Sequence, residues 1–170
     1  MILAVDAYYL DNTAKVVGIL VKDWTDPTPY LTESTIIHGI NDYEPGAFYK
    51  RELPCLIKFL EKIDLSLVTI IVIDGFIFLD DTNKKGLGAY LYDYLTCSIP
   101  VIGVAKSSFL SAETSAIKVW RRDSKNPLFV TAVGIELSQA AAHVRSMAGN
   151  YRIPTLLKTL DQETKNFSLT

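Results

Sequence analysis

Two apolar runs end on an acid, and they limit this chain more than any other feature: Met1-Ile-Leu-Ala-Val leads to Asp6, and Val68-Thr-Ile-Ile-Val-Ile leads to Asp74. A short run that is apolar on both faces suits a strand covered on both sides, so each belongs at the centre of a sheet with helices above and below. Lying side by side, the two strands would bring both carboxylates out at one sheet edge. An Asp after a strand commonly forms a turn or caps a helix, so each acid alone has a simple local explanation. A third acid and a basic partner at the same edge would give the pair a chemical one.

The rest of the chain supplies such a sheet. Ile2 to Leu10 and Lys15 to Val21 read as strands joined by the Asp11-Asn12-Thr13 turn, and Glu33 to His38 as a third after the Pro-containing loop Asp26 to Pro29. Apolar residues then recur at helical spacing from Gly46 to Ile63, through Phe48, Leu53, Leu56, Ile57 and Leu60. A second helix is expected over 86–97, a buried strand over 99–104, and a hairpin from Ala116–Arg121 and Leu128–Val133. Ser138 opens an Ala-rich helix that ends near Gly149-Asn150, and Pro154 starts a last helix to about Lys165. The expected fold class is α/β: a mixed central sheet, a three-stranded antiparallel meander followed by alternating helices and parallel strands, with helices on both faces. One domain over 1–170 is the economical reading.

At 49% hydrophobic and 21% charged residues, the composition is that of a folded globular protein and not of a disordered chain. No uncharged stretch approaches the roughly 20 residues needed to span a bilayer, so no membrane is expected as a partner. Cys55 and Cys97 sit in apolar periodic segments and read as buried, reduced thiols. With no secretory pattern at Met1, they predict a cytoplasmic protein. The formal charge is −2, so any nucleic-acid binding must rest on a local basic patch.

Glu52 lies one helical turn before Leu56, at the margin of the first helix's inward face, from which it could be aimed at the edge carrying Asp6 and Asp74. Oxygen donors of this kind suit Mg²⁺ or Mn²⁺, which keep water and substrate phosphate oxygens alongside a few carboxylates. His38 and His143 have no partner at ligand spacing, which argues against zinc. Lys106 follows the apolar strand at the same level as Asp74, where an ammonium could stabilise charge on a phosphate.

The segment Tyr43-Glu-Pro-Gly46-Ala-Phe-Tyr-Lys-Arg51-Glu52-Leu-Pro54 resembles the Tyr-x-Pro-Gly-x-x-x-x-Arg-Glu-x-Pro block of endonuclease V, a nuclease that cuts near inosine or deoxyinosine. Val5-Asp6-Ala-Tyr8, Ile73-Asp74-Gly75, Ile99-Pro100 through Lys106-Ser107, and Tyr151-Arg152-Ile-Pro154 follow in the family's order. The resemblance implies a ribonuclease H-like fold and a metal-dependent endonuclease acting on inosine-containing DNA or RNA. By that resemblance Asp6, Glu52 and Asp74 hold Mg²⁺ or Mn²⁺, and Lys106 completes the catalytic set. Tyr43, Pro45 and Gly46 form a wedge that enters the duplex, and Gly46 and Gly75 belong to the pocket of the turned-out base. Arg51 and Tyr8 join the nucleic-acid face, and the protein is expected to be a monomer.

Three positions depart from the family pattern. Ile77 replaces a small residue after Asp74-Gly75 and predicts a narrowed base pocket. Gly134-Ile135 stands where a Gly followed by His or Asp is expected close to the metal. Glu44 puts a negative charge in the wedge. Together they would suit a diverged or inactive member that binds nucleic acid.

Overall fold

The structure is a computed structural model, which describes residues 1–96, 98–108 and 114–167. Cys97 lies outside the described residues, whereas Cys55 is a buried free thiol. The described residues form a seven-stranded mixed sheet. Its first strands are β1 (Ile2–Leu10), β2 (Thr13–Val21) and β3 (Leu31–His38), an antiparallel meander. Next come helix α1 (Tyr49–Leu60), β4 (Ile70–Asp74), helix α2 (Leu87–Tyr94) and β5 (Val101–Ala105). The hairpin β6 (Ile117–Val119) and β7 (Leu128–Val133) is followed by helices α3 (Leu137–Ser146) and α4 (Thr155–Lys165). The spatial order is β3-β2-β1-β4-β5-β7-β6, with β1, β4 and β5 parallel and β7 antiparallel to β5.

Residue alternation assigns each strand two faces. Leu3, Val5, Ile71 and Ile73 pack with Leu56, Phe59, Ala89 and Leu91 on the α1/α2 side. Ile2, Ala4, Val72, Ile102 and Val104 pack with Ala140, Val144, Leu156 and Leu160 on the α3/α4 side. The apolar runs therefore sit at the centre of the sheet because both of their faces are buried, as expected from the sequence.

Helix α1 contains Pro54, which has no N–H to offer the carbonyl of Lys50. Asn41 Nδ2 donates to that carbonyl at 2.9 Å, so the turn that carries Glu52 keeps its bonding despite the proline. Phe59 fits over the sheet because Gly18 leaves room: a Cβ there would lie 2.5 Å from the ring.

The turn after β4 is held from behind by the neighbouring strands. A Cβ on Gly103 would lie 2.4 Å from the Gly75 carbonyl oxygen, and Ile77 N donates to Thr131 Oγ1 at 2.9 Å. Ile77 is fully buried and rests on Gly88, whose added Cβ would meet it at 2.1 Å. Its side chain fills the core under the turn. The expectation that Ile77 narrows a base pocket is therefore corrected, since the extra methyls point into the protein.

Candidate functional site

The carboxyl ends of β4 and β5 lie level with the middle of β1, which runs on to Leu10, and there Asp6, Asp74 and Lys106 emerge together. Asp6 and Asp74 continue the even-numbered residues and so belong to the α4 side, while Glu52 approaches from α1 on the other. A hollow of about 30 Å³ is walled by Asp6, Glu52, Asp74 and Tyr9, and is large enough for a small ion or a water. Asp6, Glu52 and Asp74 all line this one hollow, which they reach from opposite faces of the sheet.

Lys106 Nζ stands 3.6 Å from Asp74 and 3.7 Å from Asp161, a carboxylate on α4 that reading the sequence missed. Asp161 also accepts from Lys165 at 2.8 Å. Its signal was helical: Leu156, Leu160 and Thr164 are the buried line of α4, and position 161 flanks it. Gly134-Ile135, by contrast, lies at the opposite end of the sheet. In the antiparallel pairing Val101 faces Val133 and Ala105 faces Phe129, so the chain beyond Val133 has turned away from Asp74. Ile135 packs in the α3/α4 core, and the expectation that this position borders the metal is corrected.

Electrostatics bind the acids into one set. Burial, then the charge of Asp74, raises the Asp6 carboxyl to about 6. Burial, then Asp6 and Asp74, raises Glu52 to about 7. Asp74 is also raised by burial although 45% of its side chain is accessible, and Lys106 opposes the rise. Asp161 is held low, chiefly by its bond from Lys165. Crowded carboxylates driven toward neutrality are oxygen donors of the kind that a hard divalent cation relieves. Among the described residues no three acid, His or Cys side chains are already placed so that they could hold a metal ion together. An ion here would complete its shell with water and substrate oxygens, as Mg²⁺ commonly does.

On the α1 side a cleft of about 380 Å³ opens from the acids, lined by Gly46, Phe48, Tyr49, Glu52, Gly75 and Phe76 among others. Gly46 (φ +77°) and Gly75 (φ +127°) adopt left-handed backbone that favours glycine, and neither has an atom within 4 Å of an added Cβ. Tyr43 projects at the rim, 53% exposed, with its ring edge-on to Phe48 at 5.3 Å, and Pro45 is exposed beside it. Glu44 is paired with Lys50 at 2.8 Å, which offsets the negative charge expected of it.

Arg51 turns away from the cleft. Its guanidinium lies 4.4 Å from the Tyr9 ring centroid, and it lines a separate hollow with Tyr43, Asn41 and Asp11. Tyr8 is on the opposite face from Tyr9 and Glu52, partly exposed on the α4 side. Tyr9 walls both the acid hollow and the cleft, and its buried hydroxyl has no hydrogen-bond partner among the described residues. Burial raises its pKa above the usual phenol range.

The sequence profile of the endonuclease V family matches residues 1–162. The chain belongs to the endonuclease V family. No curated protein sequence matches it significantly. Among solved structures, endonuclease V of Bacillus subtilis superposes with a TM-score of 0.76 at 19% identity, over 96% of this chain and 78% of that one. Endonuclease V of Ciona intestinalis, in complex with a 24mer DNA containing an inosine followed by a ribo-adenosine, gives 0.75 at 18%, over 96% and 83%. Argonaute of Marinitoga piezophila gives 0.52 at 11%, over 99% of this chain and 29% of that one. The fold is ribonuclease H-like, as endonuclease V membership implies. No helix among the described residues is long and apolar enough to cross a membrane.

Proposed function

We propose that this endonuclease V family member is a metal-dependent endonuclease that hydrolyses a phosphodiester near inosine or deoxyinosine in DNA or RNA. The observation that carries the reading is the meeting of Asp6, Glu52 and Asp74 in one hollow, with Lys106 and Asp161 beside it. Inosine as the mark is supported by family membership and by the inosine-containing DNA in the Ciona complex.

Asp6, Glu52 and Asp74 would hold Mg²⁺ or Mn²⁺, and Asp161 lines the adjoining hollow with Asp6 and Asp74. When bound, the ion supplies Lewis acidity at the phosphate and lowers the pKa of water. Lys106 would offer an ammonium to the phosphate oxygens as charge builds, and its two carboxylate neighbours orient it. Gly46 and Gly75 let backbone approach a turned-out base in the cleft, and Tyr43 with Pro45 would enter the gap left behind. Tyr9 would form part of the wall of that cleft. Ile77 and Ile135 leave this machinery intact, because the first lies in the core and the second at the far end of the sheet.

A nicking assay on an inosine-containing oligonucleotide tests the reading. Wild-type protein with Mg²⁺ or Mn²⁺ is expected to cut it, and to spare the same strand carrying adenosine. A folded sample that cuts no more than its Asp74→Ala variant would reject the proposal.

A further inference from the structure

We propose that the open groove on the α4 side, walled by Lys106, Arg122, Tyr151, Arg152 and Lys158, binds the single-stranded segment of nucleic acid that continues past the phosphate to be cut. The groove has a volume of about 680 Å³ and shares Lys106 and Asp161 with the acid edge, so a strand leaving the site enters it directly. This assignment rests on the endonuclease reading for the strand's direction. Its chemistry stands on the groove itself.

In a chain of net charge −2, this is where cations gather: four of them face two carboxylates, Asp123 and Asp161. Asp161 is already paired with Lys165, at 2.8 Å. Tyr151 is 74% exposed, and Lys158 Nζ lies 5.9 Å from its ring centroid. An exposed ring beside an ammonium is the usual equipment for stacking a base while meeting its phosphate.

The wall is fixed before any ligand arrives. Arg121, 2% exposed, donates from Nη1 to the Tyr151 carbonyl at 2.9 Å and from Nη2 to that of Met147. Arg152 donates to the carbonyls of Pro127 at 2.8 Å and of Lys106, which ties the same loop to the end of β5. Burying a guanidinium is costly unless it is well bonded. Here it serves as the strut for the segment that presents Tyr151. Arg122 adopts φ +51°, a conformation that disfavours side chains, with its Nε bonded to the Gly149 carbonyl at 3.2 Å. The loop thus keeps an exposed cation where glycine would be easier.

The test compares inosine-containing strands whose segment beyond the cut is about two or about eight nucleotides long, bracketing the roughly four needed to fill such a site. Metal-free binding is read by fluorescence anisotropy for wild type, Tyr151→Ala and the double variant Arg122→Gln, Lys158→Gln, with melting temperatures as the fold control. Wild type should hold the long strand about tenfold more tightly, and the long-to-short ratio should fall to about one in the variants. The slope of log affinity against log salt should drop by about 1.4 in the double variant, for two lost phosphate contacts. Equal binding of both lengths, a ratio that survives in the variants, or competition by polyglutamate as strong as by the strand itself would overturn the groove. Nicking with Mg²⁺ or Mn²⁺ is followed in parallel. Cutting without length preference removes the groove and leaves the endonuclease reading, whereas length preference without cutting does the reverse.

Discussion

On the α1 side the sheet edge is met by Glu52, Tyr9 and a cleft rimmed with aromatic rings, whereas on the α4 side it is met by Lys106, Asp161 and a basic groove. Asp6 and Asp74, together with Ile73, line hollows on both sides. The difference follows from strand alternation. Successive residues alternate faces, so β1 delivers Asp6 to one side of the sheet and Tyr9, three residues further on, to the other. In the proposed reading the first side takes a base and the second a backbone, with the carboxylates between them.

Removing the shared point should have the largest effect. Asp74→Ala is expected to lower nicking by about a thousandfold or more, read from single-turnover rates with saturating Mg²⁺. The next test takes one acid from each side. Glu52→Gln and Asp161→Asn should each slow cutting by about 10- to 100-fold and weaken Mn²⁺ binding. If only Glu52→Gln did so, the α4 side would be electrostatic support for Lys106 and nothing more.

A smaller effect would separate the sides by substrate. Tyr43→Ala should lower cutting of inosine in a duplex by about tenfold and leave single strands nearly unaffected, because only a duplex needs a wedge. Equal losses on both substrates would make Tyr43 a general contact.

The smallest effect is on stability. Asp6 and Glu52 bind their protons more tightly in the folded state, with carboxyls raised to about 6 and about 7. That contribution is present at low pH and is lost as the pH climbs through those values. Metal-free protein should therefore melt lower at pH 8 than at pH 5. After discounting for solvent screening, the change is about 1 kcal/mol, or roughly 2–4 °C. Mg²⁺ at pH 8 should restore the loss, and Asp6→Asn should flatten the profile.

Much of this was legible in the residues. The apolar runs ending in Asp6 and Asp74 dictated central strands, and the α1 periodicity put Glu52 at the margin of a buried face. Pro54 could have been read as a helix break, but Asn41 satisfies the carbonyl it leaves free. Asp161 escaped notice because a helical acid looks solvated until the helix is docked, and α4 docks against β1 and β2 from the far end of the chain. Ile135 was misplaced for a related reason. Spacing shows that β6 and β7 form a hairpin, but not that β7 runs antiparallel to β5, and that direction decides which end of the sheet Gly134 reaches. Ile77 looked like an obstacle because an added side chain is visible in sequence while the space opposite it, at Gly88, is not.

The central claim is that acids from both faces of the sheet serve one cation, and crystals soaked in Mn²⁺ test it most directly. An anomalous peak bonded to Asp6 and Asp74, within reach of Glu52, is the predicted result. A well-ordered edge with no peak there at saturating Mn²⁺, or with Glu52 turned away from an ion held elsewhere, would contradict it.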